Sequence, residues 1–238
     1  MTGMQFQLTV GDAVPRQQSP TTCGAAALTM ARMLVDPDFA AWIATGSATP
    51  GVGAALDRPS EFSPGFGGAQ PHGGGQPFGG ASGDERDERF AAYEQVVHRR
   101  TTRFFGAAGR AELPWPRRLG TPPWGAEHEL ANGIAAPGTD YQTRWIRWAS
   151  PDLLERAYLR LVQTVCPRTP ALLYVGSTTL PRHVLLLLEA TDGVLGVYDP
   201  SRERAIDLPR ERFGNGRFLI AGWNTLWCLV EPRPRSGA

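Results

Sequence analysis

Residues 183–200 read HVLLLLEATDGVLGVYDP, two apolar runs of strand length joined by an Asp-Gly pair. Asp-Gly tolerates the positive φ angles of the tight turns that join antiparallel strands, so this stretch predicts a β-hairpin. Other short β-rich runs surround it: ALLYVGS before, and RFLIAGW and TLWCLVE after. Such a tail predicts an antiparallel sheet, and a sheet with apolar faces needs helices or a second sheet to cover it.

The first two-thirds of the chain supply helices. In CGAAALTMARML, Ala27, Met30, Ala31 and Leu34 fall on one apolar stripe, and Thr21 or Thr22 is the expected cap, which puts Cys23 in the first turn. DPDFAAWIATG forms a second helical patch, and DERDERFAAYEQVVHRRTTRFF runs from acidic to basic, the order a helix macrodipole favours. Thr121 followed by two prolines reads as the cap of a short helix through Leu130, and DYQTRWIRWAS alternates like a strand. Ser150 and Pro151 then open SPDLLERAYLRLVQTV, whose Leu154, Ala157, Tyr158, Leu161 and Val165 make an apolar stripe. Helices first and antiparallel strands after predict the α+β class. At 238 residues the expectation is one domain, interrupted at about 46–83 by a Gly/Pro-rich insert too poor in apolar residues to fold on its own.

The near balance of 24 basic and 23 acidic side chains gives no electrostatic footprint for nucleic acid or an anionic membrane. No apolar run reaches membrane-span length, and the N-terminus lacks the basic and apolar regions of a signal peptide. Cys23, Cys166 and Cys228 are too few and too scattered for a disulfide framework, and none of their spacings is that of a zinc site. The expected setting is cytoplasmic, with no metal and no cofactor, and any partner has to be argued from a site.

A thiol at a helix start sits at the positive end of the macrodipole, which favours the reactive thiolate. To act as a nucleophile it needs a base, a group that orients the base, and donors for an oxyanion. Of the four histidines, His72 lies in the insert, His98 and His128 lie on helix faces among charged neighbours, and His183 opens a predicted strand. Asp199 follows it by 16 residues, a separation that two strands of one hairpin can bring side by side. Asp199 can therefore orient one ring nitrogen of His183 while the other faces Cys23. Gln17, six residues before Cys23, can return its amide to the thiol across a bend at Pro20, with Gln18 as the fallback. Competing readings are plain: Cys23 as a small buried hydrophobe, YDPS as an ordinary turn in which Asp199 bonds its own backbone, and Asp192 as a turn residue. A metal site built from one cysteine, His183 and Asp199 lacks ligand spacing.

These residues resemble the family C39 cysteine peptidases: Gln17, Cys23 and Gly24 before a small-residue helix, then His183 at a strand start and Asp199-Pro200 after it. The resemblance covers roughly residues 14–35 and 170–202. It implies a papain-like fold in which the helical part carrying the cysteine packs on an antiparallel sheet carrying the histidine and aspartate. By the same resemblance Gln17 is the oxyanion residue, Cys23 the nucleophile, His183 the base and Asp199 its orienter. Thr22 stands where that family often has an acidic or aromatic residue, and Pro181-Arg182-His183 replaces its commoner Gly-His. The resemblance implies a peptidase working through an acyl-enzyme, with a peptide or protein as its substrate partner. Acyl transfer or thioester hydrolysis by the same triad, and an inactive peptide-binding module, are the alternatives. Cys166 and Cys228 read as packing residues, and so do the tryptophans of LPWPRRLGTPPWG, unless they line an apolar cleft. The Gly-Gly pairs of the insert read as linker.

Overall fold

The computed structural model describes residues 15–17, 19, 21–46, 83–102, 115, 120–202, 204–216 and 219–233. The Gly/Pro-rich stretch, apart from its two end residues, lies outside them.

Helices α1 (Cys23–Val35), α2 (Pro37–Thr45), α3 (Gly83–Thr101) and α4 (Pro123–Glu129), the last running into a π-helical turn at Leu130–Ile134, precede the first strand, β1 (Tyr141–Trp145). Helix α5 (Pro151–Thr164) follows, then β2 (Ala171–Gly176), β3 (Pro181–Thr191), β4 (Val194–Asp199), β5 (Arg204–Leu208), the short α6 (Arg210–Gly214) and β6 (Thr225–Pro232). The strands form one antiparallel sheet in the order β1-β6-β2-β3-β4-β5. The class is α+β.

Local chemistry accounts for most boundaries. Asp36 caps α2 by accepting from the Phe39 N–H, and Gly46 ends it in the left-handed conformation. Ser150 caps α5 through Leu153 N–H, with Pro151 in the first turn. Asp192 (φ 52°) and Gly193 (φ 77°) form the tight turn between β3 and β4.

Two cores flank the sheet. On one face Leu172, Tyr174, Leu186, Tyr198 and Val230 pack with α1 to α4 through Leu28, Met30, Phe39, Phe90, Tyr93 and Ala126. On the other, Leu173, Leu185, Leu187, Val197 and Leu229 pack with Leu154, Tyr158 and Leu161 of α5 and Phe213 of α6. The helix that carries Cys23 thus packs on one face of the antiparallel sheet, and α5 and α6 cover the other. In β2, accordingly, all residues are buried, the pattern of a strand covered on both faces.

Other expectations are corrected. RFLIAGW is not a strand across its described part: Ala221 (φ 53°) and Gly222 (φ 85°) make a turn, and Ile220 and Trp223 exchange backbone bonds of 3.0 and 2.8 Å across it. β5 was not expected, because RAIDL carries charge on an edge strand whose one buried side chain is Leu208. The cap of α4 is Pro122 rather than Thr121, which is buried instead between α3 and β2.

Candidate active site

Cys23 is the first residue of α1, behind Thr22 at the cap position. Thr22 does not cap α1 with its side chain; its hydroxyl donates to the Ser19 carbonyl (3.0 Å) and accepts from the Ser19 N–H (3.1 Å). The cap side chain thus offers no acceptor to the first-turn N–H groups of α1. Gly24 explains how closely this end packs. A Cβ there would lie 2.6 Å from Thr121 Cβ and 2.8 Å from its Oγ1. Thr121 is itself held, its Oγ1 accepting from Thr101 (3.5 Å) and its carbonyl from the Tyr174 hydroxyl (3.2 Å).

His183 and Asp199 sit on neighbouring strands, as the hairpin requires. His183 is 5 % exposed and Asp199 1 %. The ring Nε2 donates to Asp199 Oδ1 at 2.8 Å, since a carboxylate only accepts. Nδ1 is the nitrogen left for Cys23. Asp199 Oδ1 also accepts from the Ser201 N–H (2.9 Å) and hydroxyl (2.7 Å). Both readings of YDPS therefore hold together, because the turn that folds Asp199 onto its own backbone also aims it at the histidine.

Burial alone would lower the pKa of His183, but hydrogen bonds to Asp199 and Cys23 and the charges of both raise it to about 9. Burial would raise the pKa of Asp199, but the bonds from His183 and Ser201 hold it below the usual carboxylate range. The pair thus favours imidazolium beside carboxylate.

Gln17 stands on the wall of the same cleft as Cys23. Its backbone N–H donates to the Pro200 carbonyl at 3.0 Å, and the Tyr198 hydroxyl donates to the Pro15 carbonyl at 2.5 Å. The segment before α1 is therefore tied to the end of β4, where Asp199 lies. The Gln17 amide donates one hydrogen to the Ser19 carbonyl (2.9 Å) and keeps a second. Gln18, the fallback, lies outside the described residues.

The cleft has a volume of about 540 Å³, and Cys23, His183 and Gln17 share its wall with Tyr174, Trp115 and Trp223. Trp115 is braced edge-on by Trp124, with ring centroids 5.1 Å apart. The cleft reading of these tryptophans thus holds for Trp115, while Trp124 packs behind it. Of the other cysteines, Cys228 is fully buried, which pushes its thiol pKa up, and Cys166 bonds Thr169 Oγ1 at 3.1 Å. His98 lies in α3, His128 lies in α4 beside Asn132, and His72 is outside the described residues. Among the described residues no cluster of His, Cys, Asp or Glu could hold a metal, and no helix is long and apolar enough to cross a membrane.

Three contributors escaped sequence reasoning. Ser201 had its signal in the Asp-Pro-Ser turn, whereas the Ala221–Gly222 turn that brings Trp223 to the cleft lacks the usual Asn-Gly or Asp-Gly pair. Arg182 is the extra residue of a β-bulge, since Val175 pairs with His183 and Gly176 with Pro181. Bulges re-aim side chains and show no periodic signature. Comparison of the chain with protein-family models, with curated proteins and with solved structures gave no match.

Proposed function

We propose that the protein is a papain-like thiol hydrolase that cleaves a peptide amide through an acyl-enzyme on Cys23. The observation that carries this reading is the 2.8 Å bond of His183 Nε2 to the buried Asp199, with Cys23 and His183 lining the same cleft. A purely structural histidine needs no place on the wall of an open cleft beside a cysteine.

The steps follow from the geometry. The Cys23 thiolate adds to the substrate carbonyl, and the oxyanion takes the free Gln17 amide hydrogen and the Cys23 N–H. His183, an imidazolium below about pH 9, gives the Nδ1 proton to the leaving amine as the C–N bond breaks. The neutral ring then takes a proton from water, hydroxide adds to the thioester, and the acid leaves as Cys23 regains its charge beside imidazolium. Asp199 stays ionised throughout, holding the ring's orientation.

Intact-mass measurement after incubation with pools of peptides and thioesters tests this proposal. An added acyl mass on wild type, absent from Cys23→Ala and resolved by water, is the expected result. An acyl group that leaves only when an amine or thiol is added makes the protein an acyltransferase. No adduct from any pool, with peptide still bound, makes it a binding module.

A further inference from the structure

Arg182 immediately precedes His183 and lines the cleft. As the bulged residue of β3 it departs from the regular alternation, and its side chain is exposed. Other arginines are matched: Arg100 with Glu129, Arg144 and Arg160 with Glu231, and Arg210 with Glu155. Arg182 makes no salt bridge with any described residue, and no acidic side chain is among the described residues lining the cleft. A second cation stands close by. Arg202, 48 % exposed, has Nε 3.9 Å from Asp199 Oδ2, and Ser201 beside it lines the cleft. A guanidinium offers a planar fork of donors that matches a carboxylate in two parallel bonds. The aromatic wall of Trp115, Tyr174 and Trp223 offers apolar contact beside it.

We infer that the cleft selects substrates bearing a carboxylate close to the scissile bond, bound by Arg182, with an apolar or aromatic group against Trp115 and Trp223. This specificity rests on the hydrolase reading above, but the positive field at Cys23 can be tested without it. Rates of Cys23 alkylation by iodoacetate, an anion, and iodoacetamide, its neutral counterpart, are measured on the full chain, with the site assigned by peptide mass. The iodoacetate-to-iodoacetamide ratio should fall about fivefold in Arg182→Glu, the size that a change of two unit charges would have at a separation of about 8 Å in a water-like medium. It should fall about twofold in the milder Arg182→Gln, and both differences should shrink at 1 M salt, where the Debye length is about 3 Å. A ratio unchanged in both variants overturns the anion site, whereas slow iodoacetamide reaction in wild type counts against the hydrolase alone.

Binding to Cys23→Ala then separates the sources of the carboxylate. A blocked peptide with an internal Glu beside an aromatic residue, its Gln counterpart, and that Gln peptide with a free C-terminus are compared. Tighter binding of the Glu peptide names a side-chain carboxylate, and tighter binding of the free C-terminus names a terminal one. Equal binding of all three overturns the specificity.

Discussion

Replacing Gly24 with alanine inserts one carbon where α1 meets the Thr121 segment. Carbon atoms pack at about 3.5–4.0 Å. The new Cβ would stand 2.6 Å from Thr121 Cβ, so a gap of about 1 Å has to open. Rotating its side chain does not move Thr121 Cβ, so the gap opens only if the backbone shifts, and that segment is held by the bond its carbonyl accepts from Tyr174. Overpacking of this kind costs about 1–3 kcal/mol. The exchange of glycine for alanine in a helix returns at most about 1 kcal/mol, and less in a first turn. The net expectation is a loss of about 1 kcal/mol, or a Tm lower by about 2–4 °C for a domain of this size. The larger effect falls on Cys23, the residue before. Moving a reacting group by about 1 Å can cost about a hundredfold in rate, so iodoacetamide labelling of Cys23 should slow at least tenfold. Thermal unfolding and labelling on one preparation read both quantities. Thr121→Gly in the same chain should restore part of each, giving a double-mutant cycle with non-zero coupling. A Gly24→Ala variant that melts higher and labels as fast as wild type would refute the close-packing argument.

Further predictions concern the polar half of the site. Because the His183 pKa is raised to about 9, the proposed hydrolysis should lose its proton donor on an alkaline limb near pH 9. Asp199→Asn, which keeps an acceptor but removes the charge, should move that limb toward neutral pH in a pH–rate profile. Linkage gives the stability counterpart: the His183 contribution is complete below its unfolded value of about 6.5 and is lost as pH rises through about 9. The Asp199 contribution is present above the ordinary carboxylate range and is lost as pH falls through its lowered value. Denaturant unfolding across pH should therefore show wild type losing, between about pH 6.5 and 9, an advantage that His183→Phe lacks. Ser201→Ala removes a hydroxyl bond to Asp199 Oδ1 but leaves the backbone bond, so it should lower kcat by less than about tenfold with KM unchanged. Ala221→Gly relieves a left-handed alanine and should raise stability by about 1 kcal/mol, read as a higher denaturant midpoint with an unchanged slope.

What could be read from residues alone followed the range of the forces involved. Ser150 at the start of α5 and Asp192-Gly193 between β3 and β4 are local chemistry, and each does in the structure what its residue type predicts. The hairpin turn also carries the pairing of His183 with Asp199, because an antiparallel connection leaves little freedom in what faces what. β5 was invisible because backbone pairing to β4, rather than side-chain burial, makes it a strand. The Ala221–Gly222 turn was hidden inside an apolar run, and only a left-handed alanine reveals it. The two-sided cover of the sheet is a tertiary property, legible at most in the unbroken apolar character of β2. Asp199 shows the limit from the other direction. Turn residue and histidine partner were competing readings of YDPS, and a carboxylate oxygen with several acceptor positions satisfies both.

The proposed chemistry stands on Cys23 and His183 acting as an activated pair. The direct measurement is the rate of iodoacetamide reaction at Cys23 from pH 5 to 9, compared with N-acetylcysteine under the same conditions and with His183→Ala. At pH 6 Cys23 should react at least tenfold faster than the model thiol, and His183→Ala should remove the advantage. A wild-type rate no faster than the model thiol at every pH, with the protein folded, would contradict it.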